Sequence, residues 1–121
     1  MQYMLLIYNA PEAWTSLSES EQGEIFAAYG TFTEELRGSG KYVAGDALQP
    51  TDTATSVRVR DGETLTTDGP FAETKEVLGG YYLIDVETID EALEWAAKLP
   101  GSWYGTVEVR PIVTNYETMS A

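Results

Sequence analysis

The chain has 121 residues, 20 of them acidic against 7 basic, a formal net charge of −13 at neutral pH, and neither cysteine nor histidine. That charge argues against nucleic acid and anionic membrane surfaces as partners, since both recruit Lys and Arg to neutralise phosphates. Without Cys or His there are no disulfides, no thiolate or imidazole bases, no ordinary triad and no usual structural zinc site, so neither metal nor cofactor is expected.

The run from Tyr3 to Tyr8, YMLLIY, is short, apolar and stopped by NAPE, which predicts a strand buried on both faces. It leaves no room ahead of it for a secretory signal, and no apolar run approaches the ~20 residues that span a bilayer, so a soluble, cytoplasmic protein is expected. Ser18-x-x-Glu21 is a capping box and opens a helix. Ile25, Tyr29, Phe32 and Leu36 form its apolar stripe, with Glu24, Glu34, Glu35 and Arg37 pointing elsewhere, and Gly38 to Gly40 close it. A short strand follows over Lys41 to Gly45. Two alternating runs around Asp61-Gly62 then predict a β-hairpin, with Val57 and Val59 on one side and Arg58 and Arg60 on the other.

Gly79 to Val86 reads as a further strand, apolar on both faces at Tyr81 to Ile84. Thr88-x-x-Glu91 is a second capping box, opening a helix with Ile89, Ala92, Leu93 and Ala96 on one stripe, which Pro100-Gly101 ends. Thr106 to Val113 is the last strand. This order predicts one domain over residues 1–114, a ferredoxin-like α+β sandwich of split β-α-β type with an inserted β-hairpin, and a C-terminal tail over 115–121. Two helices cover one face of such a sheet, yet two strands are apolar on both faces. A second copy related by a two-fold axis covers the other face most economically, so a homodimer is expected.

The blocks MQYMLLIY, AYGTFTEELRGSGKYVAGDALQP, SVRVRDG, TDGPFAETKEVLGGYYLIDV, DEALEWAAKLP and GTVEVRPI span most of the chain. Together they resemble the DGPF-domain branch of the YCII-related proteins, whose signature is matched by Asp68, Gly69, Pro70 and Phe71. The resemblance implies a dimeric α+β barrel, a family of mostly unknown activity, and frequent encoding beside extracytoplasmic-function sigma factors. Some family members carry a His and an Asp in a cleft; a His of that kind would fall near Tyr29, and this sequence has no His at all, so the pair does not carry over and enzymatic activity stays open.

Asp68-Gly69-Pro70 is turn chemistry first. Phe71 is then an anchor for the loop in the core, with AETKE as a helical turn; the alternative makes Asp68 a carboxylate base at a cleft mouth. Arg58 and Arg110, standing on strands opposite valines, suit a ligand carboxylate or phosphate, or else pair with Glu63, Glu108 or a partner's acid. Tyr8, Tyr81 and Tyr82 line an aromatic cleft, or are core and interface. Trp14 and Trp103, placed in loops, suggest a lid or an anchor, and Trp95 packing.

Two functions compete. One is a binder of a small anionic or aromatic ligand between the sheet and its partner sheet, using Tyr8, Arg110 and Asp68. The other is an acidic interaction module that docks on a sigma-factor-associated protein, steered by its charge.

Overall fold

The computed structural model describes residues 1–114; the tail expected over 115–121 lies outside the described residues. The chain runs β1 (Gln2–Asn9), α1 (Pro11–Thr15), α2 (Glu19–Gly38), β2 (Tyr42–Ala47), β3 (Thr55–Arg60), β4 (Glu63–Asp68), β5 (Val77–Asp85), α3 (Ile89–Lys98), α4 (Gly101–Tyr104) and β6 (Thr106–Pro111). A four-stranded antiparallel sheet has the order β2-β5-β1-β6, and β3 with β4 forms a separate two-stranded sheet. That order is ferredoxin-like, with α2 joining the split pair β1 and β2, α3 joining β5 and β6, and the hairpin inserted between β2 and β5.

Both helix starts use the predicted caps. The Ser18 hydroxyl accepts the Glu21 N–H at 3.1 Å while Glu21 accepts the Ser18 N–H at 3.1 Å. Thr88 accepts the Glu91 N–H at 3.2 Å, but the Glu91 carboxylate takes the N–H of Glu87 at 3.3 Å, so only half of the second box closes on itself. Each such cap is worth about 1 kcal/mol of helix stability.

The core lies between the sheet and the two long helices. Tyr3, Leu5 and Ile7 from β1 and Ile84 from β5 meet Phe32 and Leu36 of α2 and Ala92, Trp95 and Ala96 of α3. The expected α3 stripe is corrected here: Ile89 and Leu93 are exposed, and the buried face turns through Trp95. Trp95 brings more apolar area than either, and packs edge-on to Phe32 with ring centres 5.9 Å apart. Met4, Leu6 and Tyr8 alternate to the other face of the sheet and are half-buried. Among the described residues no helix is long and apolar enough to cross a membrane.

The hairpin turns at Asp61 and Gly62, both at positive φ as a two-residue type I′ connection requires. At its base Gly69 sits at φ +95°, a conformation that an L side chain rarely takes. Its N–H donates to Ala54 O at 2.7 Å, and its carbonyl accepts the Ser56 hydroxyl at 2.9 Å. The Asp-Gly-Pro-Phe segment is therefore a clasp on the hairpin. Two expectations about it are corrected. Phe71 is 79% exposed and anchors nothing in the core, and residues 70–76 form bends rather than a helical turn. The left-handed step at Gly69 sends the chain along the hairpin, so that Phe71 shares a shallow groove with Arg58 and Leu65.

Candidate functional site

Helical spacing places Tyr29, Thr33 and Arg37 at i, i+4 and i+8 on one side of α2. They face Tyr82 of β5 and Tyr42 of β2 across a cleft of about 870 Å³, whose far wall is made by Trp14 of α1 and Tyr104 of α4. That volume lies within the roughly 300–1,000 Å³ typical of small-molecule pockets. The side chain of Gln22 holds α1 against α2 by donating to Trp14 O at 3.0 Å, and Trp14 meets Phe26 edge-on at 5.2 Å.

The hydroxyl of Thr33 lies 2.9 Å from Tyr29 O and 2.7 Å from the Tyr82 hydroxyl. Thr33 has one proton to give, and the helix carbonyl, which can only accept, takes it. Tyr82 must then donate to Thr33, which leaves the Tyr82 oxygen with lone pairs to offer. Its ring is held by Phe32 at 5.1 Å and Tyr42 at 6.3 Å, so the hydroxyl is positioned from the core outward.

Tyr29 has the opposite character. Burial pushes its phenol far above the ordinary range, the adjacent Tyr104 and then Tyr82 add to the effect, and the Gly101 backbone opposes it. Tyr29 thus holds its proton more firmly than an ordinary phenol and is further still from serving as a base. The approach of α4 depends on glycine: a Cβ at Gly101 would come 2.6 Å from Ile7 Cγ2 and 2.8 Å from the Tyr29 hydroxyl.

The ends of the cleft differ in charge. The Arg37 guanidinium lies 4.4 Å from the centre of the Tyr42 ring. Lys41, Lys98 and Arg110 are paired with Glu91, Glu35 and Glu108, whereas Arg37 has no carboxylate partner among the described residues. Asp52 lines the other end, while the neighbouring Asp46 turns its carboxylate to the opposite face of the sheet. Asp46 accepts the Tyr81 hydroxyl at 3.1 Å, and that bond, followed by the charge of Asp46, raises the Tyr81 phenol.

Of Tyr8, Arg58, Asp68, Tyr82 and Arg110, the site candidates from the sequence, Tyr82 alone lines this cleft. Tyr8 and Arg110 stand on the opposite face of the sheet, by strand alternation, where the Arg110 Nε donates to Glu108 at 3.0 Å. Arg58 lies opposite Leu65 on the hairpin, and Asp68 is exposed at the end of β4 opposite Thr55. The cleft thus opens between sheet and helix, and not on the face where a partner sheet was expected. Trp14 and Trp103 are corrected from loops to the short helices α1 and α4; Trp14 lines the cleft, and Trp103 is 62% exposed outside it. Thr33 and Arg37 escaped sequence reasoning. Their signal was the four-residue spacing from Tyr29 along the margin of the apolar stripe.

A family model described as YCII-related domain matches residues 1–115. An uncharacterized protein of Rhizobium meliloti (strain 1021) is 38% identical over 114 residues, covering 93% of this chain and 92% of that protein. Among solved structures, the 5-chloro-2-hydroxyhydroquinone dehydrochlorinase TftG of Burkholderia phenoliruptrix AC1100, in complex with 2,5-dihydroxybenzoquinone, is similar with a TM-score of 0.55. Identity to it is 13%, over 97% of this chain and 98% of that one, a likeness of fold alone.

Proposed function

The chain belongs to the YCII-related domain family, and we propose that it binds a small aromatic or anionic molecule in the cleft between α2 and the sheet. One observation carries this: a cleft of about 870 Å³ walled by aromatic rings, in which the Tyr82 hydroxyl is aimed by Thr33. The one-ring quinone in the TftG complex supports the ligand class by analogy of fold. Any proton transfer in this cleft rests on tyrosine and aspartate groups, since the sequence holds no His or Cys.

The segment Asp68 to Phe71 supports membership of the DGPF branch of the family as part of this proposal. Its apolar open sheet face, with Met4, Leu6, Tyr8 and Leu83 half-buried, supports a homodimer in which two sheets meet and form a barrel. Tyr82 is the ligand contact. Tyr8 and Arg110 then lie at the meeting of the sheets, and Arg58 and Asp68 stand on the exposed hairpin outside the cleft, where they reach a ligand only if a second copy brings one to them. A cytoplasmic location belongs to the same proposal. Docking on a sigma-factor-associated protein draws on net charge and on the family resemblance, and not on the cleft.

Titrating the protein with one-ring phenols, quinones and aromatic acids, followed by calorimetry and tryptophan emission, tests the cleft. Saturable binding of one molecule per chain, weakened about 5-fold in Tyr82→Phe as one hydrogen bond is lost, is the expected result. Binding that leaves the emission unchanged and ignores Tyr82→Phe would place the ligand elsewhere.

A further inference from the structure

Resting on the cleft proposal above, we infer that the ligand is an aromatic acid bound in one orientation, its carboxylate on the Arg37 guanidinium and its ring directed along the cleft past Tyr82 toward Tyr29 and Trp14.

Three features of the cleft point this way. The first is the setting of Arg37, which, unlike Arg58, Arg60 and Lys75, the other cations unpaired among the described residues, lines the cleft. In a chain with 20 acidic residues, three of the seven cations already hold a carboxylate, yet Arg37 faces a cleft with a tyrosine ring beneath it and no acid beside it among the described residues. A last-turn position accounts for a basic residue through the helix dipole. It does not account for a guanidinium standing 4.4 Å over the Tyr42 ring, with its N–H fork unpaired among the described residues and able to receive a carboxylate bidentately.

The second is polarity along the cleft. Asp52 lines the cleft wall beyond the end of β2, the strand that Tyr42 opens. A ligand carboxylate is therefore attracted at the Arg37 end and repelled near Asp52, which favours this pose over the reversed one. The third is the succession of groups between the ends. Thr33 stands about 6 Å and Tyr29 about 12 Å from Arg37 along the helix axis. A ring carried on a short stem from the carboxylate thus comes level with Tyr82, whose oxygen has its proton committed to Thr33 and accepts from a ring hydroxyl.

The test is a matched pair of probes, 4-hydroxyphenylacetate and 4-hydroxyphenylacetamide, titrated into the wild-type chain, Arg37→Gln and Arg37→Lys. The acid is expected to bind wild type about 10-fold more tightly than the amide, with Arg37→Gln removing that preference by weakening the acid alone and Arg37→Lys restoring part of it. Raising salt on the wild-type chain gives a second measurement that needs no variant: affinity for the acid falls and that for the amide holds. Equal affinity for acid and amide, unmoved by Arg37→Gln and by salt, overturns the orientation while leaving the aromatic cleft standing. If neither probe nor any other one-ring compound binds, the cleft proposal itself fails and this inference with it.

Discussion

Val107 and Val109 alternate with charged neighbours as regularly as Val57 and Val59 do, yet the first pair packs against the core while Val57 and Val59 are 61% and 58% exposed. Alternation decides which side chains share a face. Whether that face is buried depends on a second layer, and α2 and α3 supply one to the four-stranded sheet while leaving the hairpin uncovered on both sides. Two isolated strands are marginal in water. This hairpin holds its shape through the turn at Asp61-Gly62 and the clasp at Gly69, and its exposed valines are free to meet another surface.

The contrast is open to direct attack by mutation. Leu36→Ala in the covered layer removes a side chain with no exposure and is expected to cost about 2–5 kcal/mol in denaturant unfolding, against less than about 0.5 kcal/mol for Val57→Ala. Comparable losses at both sites would mean that the hairpin is covered in solution, and a concentration dependence of the Val57→Ala loss would assign the cover to a second copy. Next in size is Gly101→Ala, which drives a methyl into Ile7 and the Tyr29 hydroxyl and should cost about 1–3 kcal/mol through overpacking. Probe binding should fall with it, since Tyr29 has to move; retained affinity would show that α4 yields instead.

The smallest effect sharpens the comparison by pH. The folded state holds the Tyr29 phenol above its unfolded value near 10, so its contribution to stability is complete below about pH 10 and is lost as pH rises toward the folded value. Stability measured between neutral pH and pH 11 should therefore fall more steeply in the wild-type chain than in Tyr29→Phe. Parallel curves would place Tyr29 in contact with water.

Local chemistry made much of the fold readable. The capping boxes at Ser18 and Thr88, the Asp61-Gly62 turn and the period of the strands each depend on a few adjacent residues, and each stands near its expected place. The short helices at Trp14 and Trp103 were hidden because Pro11–Thr15 and Gly101–Tyr104 are shorter than two turns and leave no period to detect. Phe71 misled for another reason: an aromatic after Gly-Pro looks like an anchor, but its destination depends on the φ of Gly69.

For the site the balance shifts. By composition and order alone the sequence determined an acidic α+β chain of split β-α-β type, with Tyr82 on a strand bearing aromatic side chains to both faces. Only the tertiary structure decided that Tyr29, Thr33 and Arg37 would meet Tyr82 and Tyr42, and that Tyr8 and Arg110 would face away from them. The physical reason is that a strand's alternation names two faces without saying which one the helices will cover. A cleft forms where a helix stands off from a sheet, and that gap is set by the packing of Phe32, Trp95 and Gly101 rather than by the residues that line it.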